Sequence, residues 1–191
     1  MKRSELTVAS RLTVIRILIV PFFIVTVLYY SPGQDHLRFI SLGLFVTAAF
    51  LDFLDGYWAR KFHQETKAGA ILDPLADKIL LISAFICLYK VSVLFETVRF
   101  PIWLVVAVIS RDAILLLGSM IIHLVKGDIT VATTIWGKGT AFLQMLAVIG
   151  ILMQWRFSIM IWYVIMIFVI ISGMDYRLKG IKELYSAENH Q

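Results

Sequence analysis

Cysteine is almost missing from this chain of 191 residues. The single one, Cys87, permits no internal disulfide and no cysteine-held metal. It lies in the apolar run LISAFICLY and reads as a small buried hydrophobe. Charge is scarce as well: 16% of residues are Asp, Glu, Lys or Arg, where ordinary soluble domains carry about 25%. So few polar side chains could not coat a soluble fold, and the disordered, collagen-like and disulfide-rich secreted classes fall away with the same count. Proline (4) and glycine (11) are sparse and act as punctuation between long elements. No basic stripe interleaves with aromatics, so nucleic acid is not an expected partner.

What fills the chain instead is hydrocarbon. Apolar residues make up 60% and the mean hydropathy is +0.84. A helix crossing a bilayer needs about 20 mostly apolar residues. Six stretches qualify, at about 12–30, 37–60, 70–92, 101–125, 132–153 and 158–176. The expected fold is therefore an all-α integral membrane protein, one domain of six transmembrane helices. Residues 1–10 are too polar to span and are expected to form a short interfacial helix. The first span resembles a signal peptide in position, but Arg16 interrupts it, Pro21 sits within it and no small-residue cleavage site follows, so it is expected to be retained. Ser31-Pro32-Gly33 closes the first span, Pro101 opens the fourth, and Lys126-Gly127-Asp128 ends it.

The net charge of +5 sorts by side. With six spans both termini share one face. Lys2, Arg3, Arg11, Arg60, Lys61, Lys67, Lys126, Lys138, Arg177, Lys179 and Lys182 lie there, against Arg38, Lys90, Arg99 and Arg156 opposite. The basic face is the cytoplasmic one, which places both termini and the loop at 61–69 in the cytoplasm.

Against this background the segment AAFLDFLDGYWARKFHQETKAGAILDPLADKILL is anomalous. It sets Asp52, Asp55, Asp73 and Asp77 inside or at the ends of apolar helices, where one charge at mid-bilayer costs about 2.5–3.5 kcal/mol on lenient scales. Spacings of three and four put each pair on one helix face. A short connection makes the two helices expected antiparallel neighbours. The four carboxylates can then converge near the cytoplasmic side, and their mutual repulsion must be relieved by protons or by cations. Oxygen ligands favour hard divalent ions, and a two-metal carboxylate site suits displacement at phosphorus. Gly56, Ala59 and Gly69 leave room along the same faces for a nucleotide, with Arg60 able to reach a phosphate. Spacing alone leaves three readings open: metal-assisted catalysis, a proton or cation pathway, and solvated or packing residues without chemistry. No local grouping suggests a serine, cysteine or histidine nucleophile.

The string Asp52-x2-Asp55-Gly56-x2-Ala59-Arg60-x8-Gly69-x3-Asp73-x3-Asp77 resembles the complete signature of the CDP-alcohol phosphotransferases, and the six-span layout is similar too. The resemblance implies an enzyme that joins a CDP-linked lipid to an alcohol, releases CMP and forms a phosphodiester. It implies two divalent cations, Mg²⁺ or Mn²⁺, held by Asp52, Asp55, Asp73 and Asp77. Asp77 would also be the catalytic base on the acceptor hydroxyl. Asp52, Gly56, Ala59, Arg60 and Gly69 would contact the CDP moiety, and the enzyme would be a homodimer in the cell membrane.

IRILIVPFF, DFLDGYWARK and AGAILDPLADKILL resemble the phosphatidylglycerophosphate synthase and cardiolipin synthase branches, both of which use CDP-diacylglycerol. Glycerol 3-phosphate is the leading acceptor and phosphatidylglycerol the alternative. An anionic acceptor needs cations, for which Arg111, Lys138 and Arg16, with Thr13, are the candidates. Arg111 sits mid-span in AVISRDAILLLG, and an ion pair with Asp112 is the competing explanation. Ser110-Arg111-Asp112 stands where glycerol-phosphate enzymes often carry Arg-Glu, and Ser10 takes the place of a common Asn.

Overall fold

The computed structural model describes residues 14–54, 78–118 and 137–174 in full, and assigns helical backbone beyond them over 8–13, 55–62, 67–77, 119–126, 135–136 and 175–188. The elements are α1 (Val8–Leu28), α2 (Asp35–Phe62), α3 (Lys67–Val91), a 3-10 turn (Ser92–Leu94), α4 (Ile102–Lys126), α5 (Ile135–Leu152) and α6 (Ser158–Glu188). Among the described residues there is no strand. Each of the six expected spans corresponds to one helix. The last helix, α6, runs on to Glu188 through the polar tail, the helical extension expected after the sixth span. Residues 8–10, expected in a separate interfacial segment, form the first turn of α1, and residues 1–7 lie outside the described residues.

Among the described residues one stretch, Asp35–Leu54, is long and apolar enough to cross a bilayer, and the described parts of α1, α5 and α6, Val14–Leu28, Gly137–Leu152 and Ser158–Met174, are apolar over shorter lengths.

The chain divides into two compact units. The first comprises residues 1–100 and 148–156. Here α1 packs against both α2 and α3. Gln34 N–H donates to Ser31 O across the α1–α2 connection at 3.0 Å, and Gly33 takes a left-handed φ of 93° there. Pro21 is accommodated inside α1 without ending it. Contacts climb α2 as they descend α1: Ser41 Oγ donates to Thr26 Oγ1 at 2.9 Å, the Phe23 and Phe45 rings meet at 5.8 Å, and Arg16 meets Asp52. The two helices are therefore antiparallel, and their register is fixed over the whole interval. Farther along, Phe85 stacks on Phe100 at 5.1 Å and Tyr30 meets Phe95 edge-on at 5.2 Å. Cys87 is buried and free, as its context implied.

The α5 C-terminus turns on Gln154, the one described non-glycine residue with positive φ (52°). Trp155 N–H donates to Gly150 O at 2.8 Å and Gln154 N–H to Ile151 O at 3.0 Å. This is the paired closure of a left-handed helix cap, where glycine is usual. Thr97 Oγ1 donates to Gln154 Oε1 at 3.1 Å, so the side chain that makes the turn awkward is itself anchored.

The second unit comprises residues 101–147 and 157–191. Trp103 meets Tyr163 at 5.9 Å and Arg111 meets Ser172, so numbering advances together along α4 and α6 and these helices are parallel. A Cβ on Gly139 would lie 3.0 Å from Phe168 Cε1; glycine there lets α5 approach the α6 ring closely.

Both units bury an apolar core, yet they also leave large apolar side chains exposed and cover several polar ones. Phe22, Phe53, Met160 and Ile167 are exposed, while Arg16, Arg111, Asp112 and Gln144 are buried. A water-facing surface would reverse that order.

Candidate active site

Asp52 is the member of the acidic motif whose side chain is described. It lies on α2, which is apolar over its preceding four turns, and it faces α1 because the hairpin register brings Arg16 to the same depth. Arg16 Nη1 is 2.5 Å from Asp52 Oδ1. The arginine is 1% exposed, but the aspartate side chain remains 34% exposed. A buried guanidinium thus grips a carboxylate that still opens outward.

Asp55, Gly56, Ala59 and Arg60 fall on α2, and Gly69, Asp73 and Asp77 on α3. Their side chains lie outside the described residues, as does Thr13 of α1. The expected convergence of the α2 and α3 carboxylates therefore also falls outside them. Within the described part, α1 is the helix packed against both α2 and α3, so the α1 face around Arg16 belongs to the scaffold that carries the motif. Among the described residues no group of three metal-binding side chains occurs. The donor chemistry of the motif, four carboxylates at helical spacing, suits hard oxygen-seeking divalent cations, and the partly open Asp52 is consistent with that use.

The acceptor candidates separate. Lys138 is exposed on α5. Arg111 is 5% exposed, donates through Nη1 to Asp112 Oδ1 at 2.7 Å and through Nη2 to Ser172 Oγ at 2.6 Å. Its Nε is buried with no hydrogen-bond partner. Asp112 and Ser172 are themselves 0% and 1% exposed. The ion pair considered from the sequence is present, and one N–H of the guanidinium is unmet. Neighbouring residues on a helix point about 100° apart, so the Arg111 side chain must fold sideways to reach Asp112, and α6 supplies the third group.

Two features escaped the sequence reading. One is Ser172, a lone hydroxyl in FVIISGM with nothing local to mark it. The other is the Arg16–Asp52 pair, which did leave a signal: two opposite charges in adjacent apolar helices at similar distances from one tight connection. Gln144 is also fully buried, with neither its Oε1 nor its Nε2 hydrogen-bonded.

The chain is similar to known proteins over most of its length. The family model for CDP-alcohol phosphatidyltransferases matches residues 6–172. A protein of Aquifex aeolicus named CDP-diacylglycerol–glycerol-3-phosphate 3-phosphatidyltransferase is 31% identical over 188 residues, 94% of this chain and 99% of its own length. One of the same name from Haemophilus influenzae is 34% identical over 148 residues, covering 77% of this chain and 75% of the relative. A third, from Bacillus subtilis, is 29% identical over 188 residues, covering 90% and 93%.

Proposed function

Because the chain belongs to the CDP-alcohol phosphatidyltransferase family, we propose that it transfers the phosphatidyl group of CDP-diacylglycerol to glycerol 3-phosphate, releasing CMP and forming phosphatidylglycerophosphate. The observation that carries this reading is the acidic motif itself. All eight of its positions are present in order on α2 and α3. Its first carboxylate, Asp52, is held inside an apolar hairpin yet left partly open. The acceptor is taken from the name its relatives carry.

In this reading Asp52, Asp55, Asp73 and Asp77 hold two divalent cations, Mg²⁺ or Mn²⁺. When bound, these supply positive charge that neutralises the diphosphate and polarises the phosphorus. The chain's own residues do the rest. Gly56, Ala59 and Gly69 keep the helix faces low where the nucleotide lies, and Arg60 pairs with its phosphate. Asp77 takes the proton from the attacking hydroxyl, since an alcohol is a weak nucleophile near neutral pH and a placed base contributes about 10²–10⁴-fold. Lys138 and Arg111, with Thr13, bind the acceptor's phosphate. No phosphoryl-enzyme is needed. The family is membrane-associated, and the large apolar side chains exposed on both units suit lipid. We place the protein in the cell membrane as a homodimer with six crossings, with both termini and the motif on the cytoplasmic side.

The test is direct. Purified protein with CDP-diacylglycerol and Mn²⁺ or Mg²⁺ should release CMP with glycerol 3-phosphate and not with inositol phosphate or serine. CMP release with phosphatidylglycerol instead would make it a cardiolipin synthase. No release with any alcohol, alongside cation flux in vesicles, would reject the enzyme and support a transport role for the acidic cluster.

A further inference from the structure

We infer that Arg16 is a positioning residue for the metal centre: its buried guanidinium holds the Asp52 carboxylate in the orientation that receives a divalent cation, and it does not bind the acceptor. The inference rests on the reading of Asp52 as a metal ligand. Three observations carry it. The guanidinium is within 2.5 Å of Asp52 Oδ1, so its charge is already directed at this carboxylate. Arg16 is 1% exposed, so its guanidinium faces protein and not water. Asp52, by contrast, keeps 34% of its side chain open, which a pair serving only to stabilise the fold does not require.

The hairpin makes the contact reproducible. Ser41–Thr26 and Phe23–Phe45 fix the α1–α2 register above it, so Arg16 has little freedom to slide. A fixed cation also offsets part of the repulsion among four carboxylates before any metal arrives. A site held in shape in this way loses less on binding. Groups that orient metal ligands typically change metal affinity by about 10–100-fold when removed.

The experiment uses full-length protein in lipid nanodiscs without either substrate. Mn²⁺ binding is followed by the electron paramagnetic resonance signal of the free ion, for wild type, Arg16→Gln, Arg16→Lys and Asp52→Asn. Steady-state KM for glycerol 3-phosphate is measured beside it. Asp52→Asn should weaken Mn²⁺ binding, Arg16→Gln should weaken it by about 10–100-fold, and Arg16→Lys should recover part of the loss. The acceptor KM should stay within about twofold in both Arg16 variants. Wild-type Mn²⁺ affinity in Arg16→Gln, with Asp52→Asn weakened, would overturn the positioning role alone, as would a raised acceptor KM with unchanged Mn²⁺ binding. Unchanged binding in Asp52→Asn would overturn the metal reading and the inference with it. If Arg16→Gln does not fold, Arg16→Lys decides: an ammonium on a flexible stem is a less defined anchor than the guanidinium, so its Mn²⁺ binding should be several-fold weaker, and wild-type affinity would overturn the inference.

Discussion

The Arg16–Asp52 pair of the first unit and the Arg111–Asp112 pair of the second join the same two ions at similar separations, 2.5 and 2.7 Å. Their arginines are almost equally covered, at 1% and 5%. The carboxylates differ: Asp52 is 34% exposed and Asp112 not at all. The partners differ as well. Arg16 reaches across to another helix for its carboxylate, whereas Arg111 finds it in the next residue and reaches across only for a hydroxyl, Ser172. A sealed pair compensates its own charge and ties helices together. A half-open pair keeps one ion available to something outside the protein. Exposure of the acid, more than length of the contact, separates a carboxylate open to a cation from one closed to it.

That distinction is most exposed to failure at Asp112. Replacing it with Ala leaves a buried guanidinium without its counter-ion, and breaking a buried pair in this way costs about 3–5 kcal/mol. Asp112→Ala should therefore lower the thermal midpoint in detergent sharply, while Mn²⁺ affinity of the folded fraction stays near wild type. A variant with wild-type thermal stability and weakened metal binding would reverse the assignment of the two pairs.

Ser172 sharpens the same contrast at smaller cost. It receives Arg111 Nη2 at 2.6 Å from a different helix. A hydrogen bond to a charged group is worth about 1.5–3 kcal/mol, so Ser172→Ala should destabilise by that order in a denaturation titration, with Ser172→Thr recovering part. If Arg111 also binds the acceptor, Ser172→Ala should raise the KM for glycerol 3-phosphate and leave that for CDP-diacylglycerol unchanged. An unmoved acceptor KM would leave Arg111 as framework only.

These two pairs also mark what a sequence can disclose. Six apolar stretches became six helices because hydrophobic length is a local property, readable residue by residue. The motif from Asp52 to Asp77 was legible because its spacing is helical and its acids are out of place in lipid. Arg111–Asp112 was legible as a candidate pair because the two are adjacent. Ser172 was not, since only the parallel packing of α4 and α6 brings position 172 to position 111. Arg16 was noticed as a cation, but its partner depends on hairpin register, a tertiary quantity set by Thr26, Ser41, Phe23 and Phe45. The continuation of α6 past residue 176 was legible as a helical extension beyond the span, because hydropathy ends there while helical backbone does not.

The smallest effect tests whether the half-open pair is local. Ser41 Oγ lies 2.9 Å from both Thr26 Oγ1 and Leu37 O and shares its one proton between them, on the same α1–α2 interface as Arg16–Asp52 but 11 residues up the helix. Hydrogen bonds between membrane helices average about 0.6 kcal/mol, so Ser41→Ala should lower stability by about that much. At about 1.5 Å rise per residue the change lies some 16 Å from Asp52, and the Phe23–Phe45 contact between them still holds the register. Mn²⁺ affinity should therefore be unaltered while the unfolding midpoint shifts slightly. A shift in metal affinity as large as that of Arg16→Gln would mean that the whole hairpin, rather than one guanidinium, orients the carboxylate.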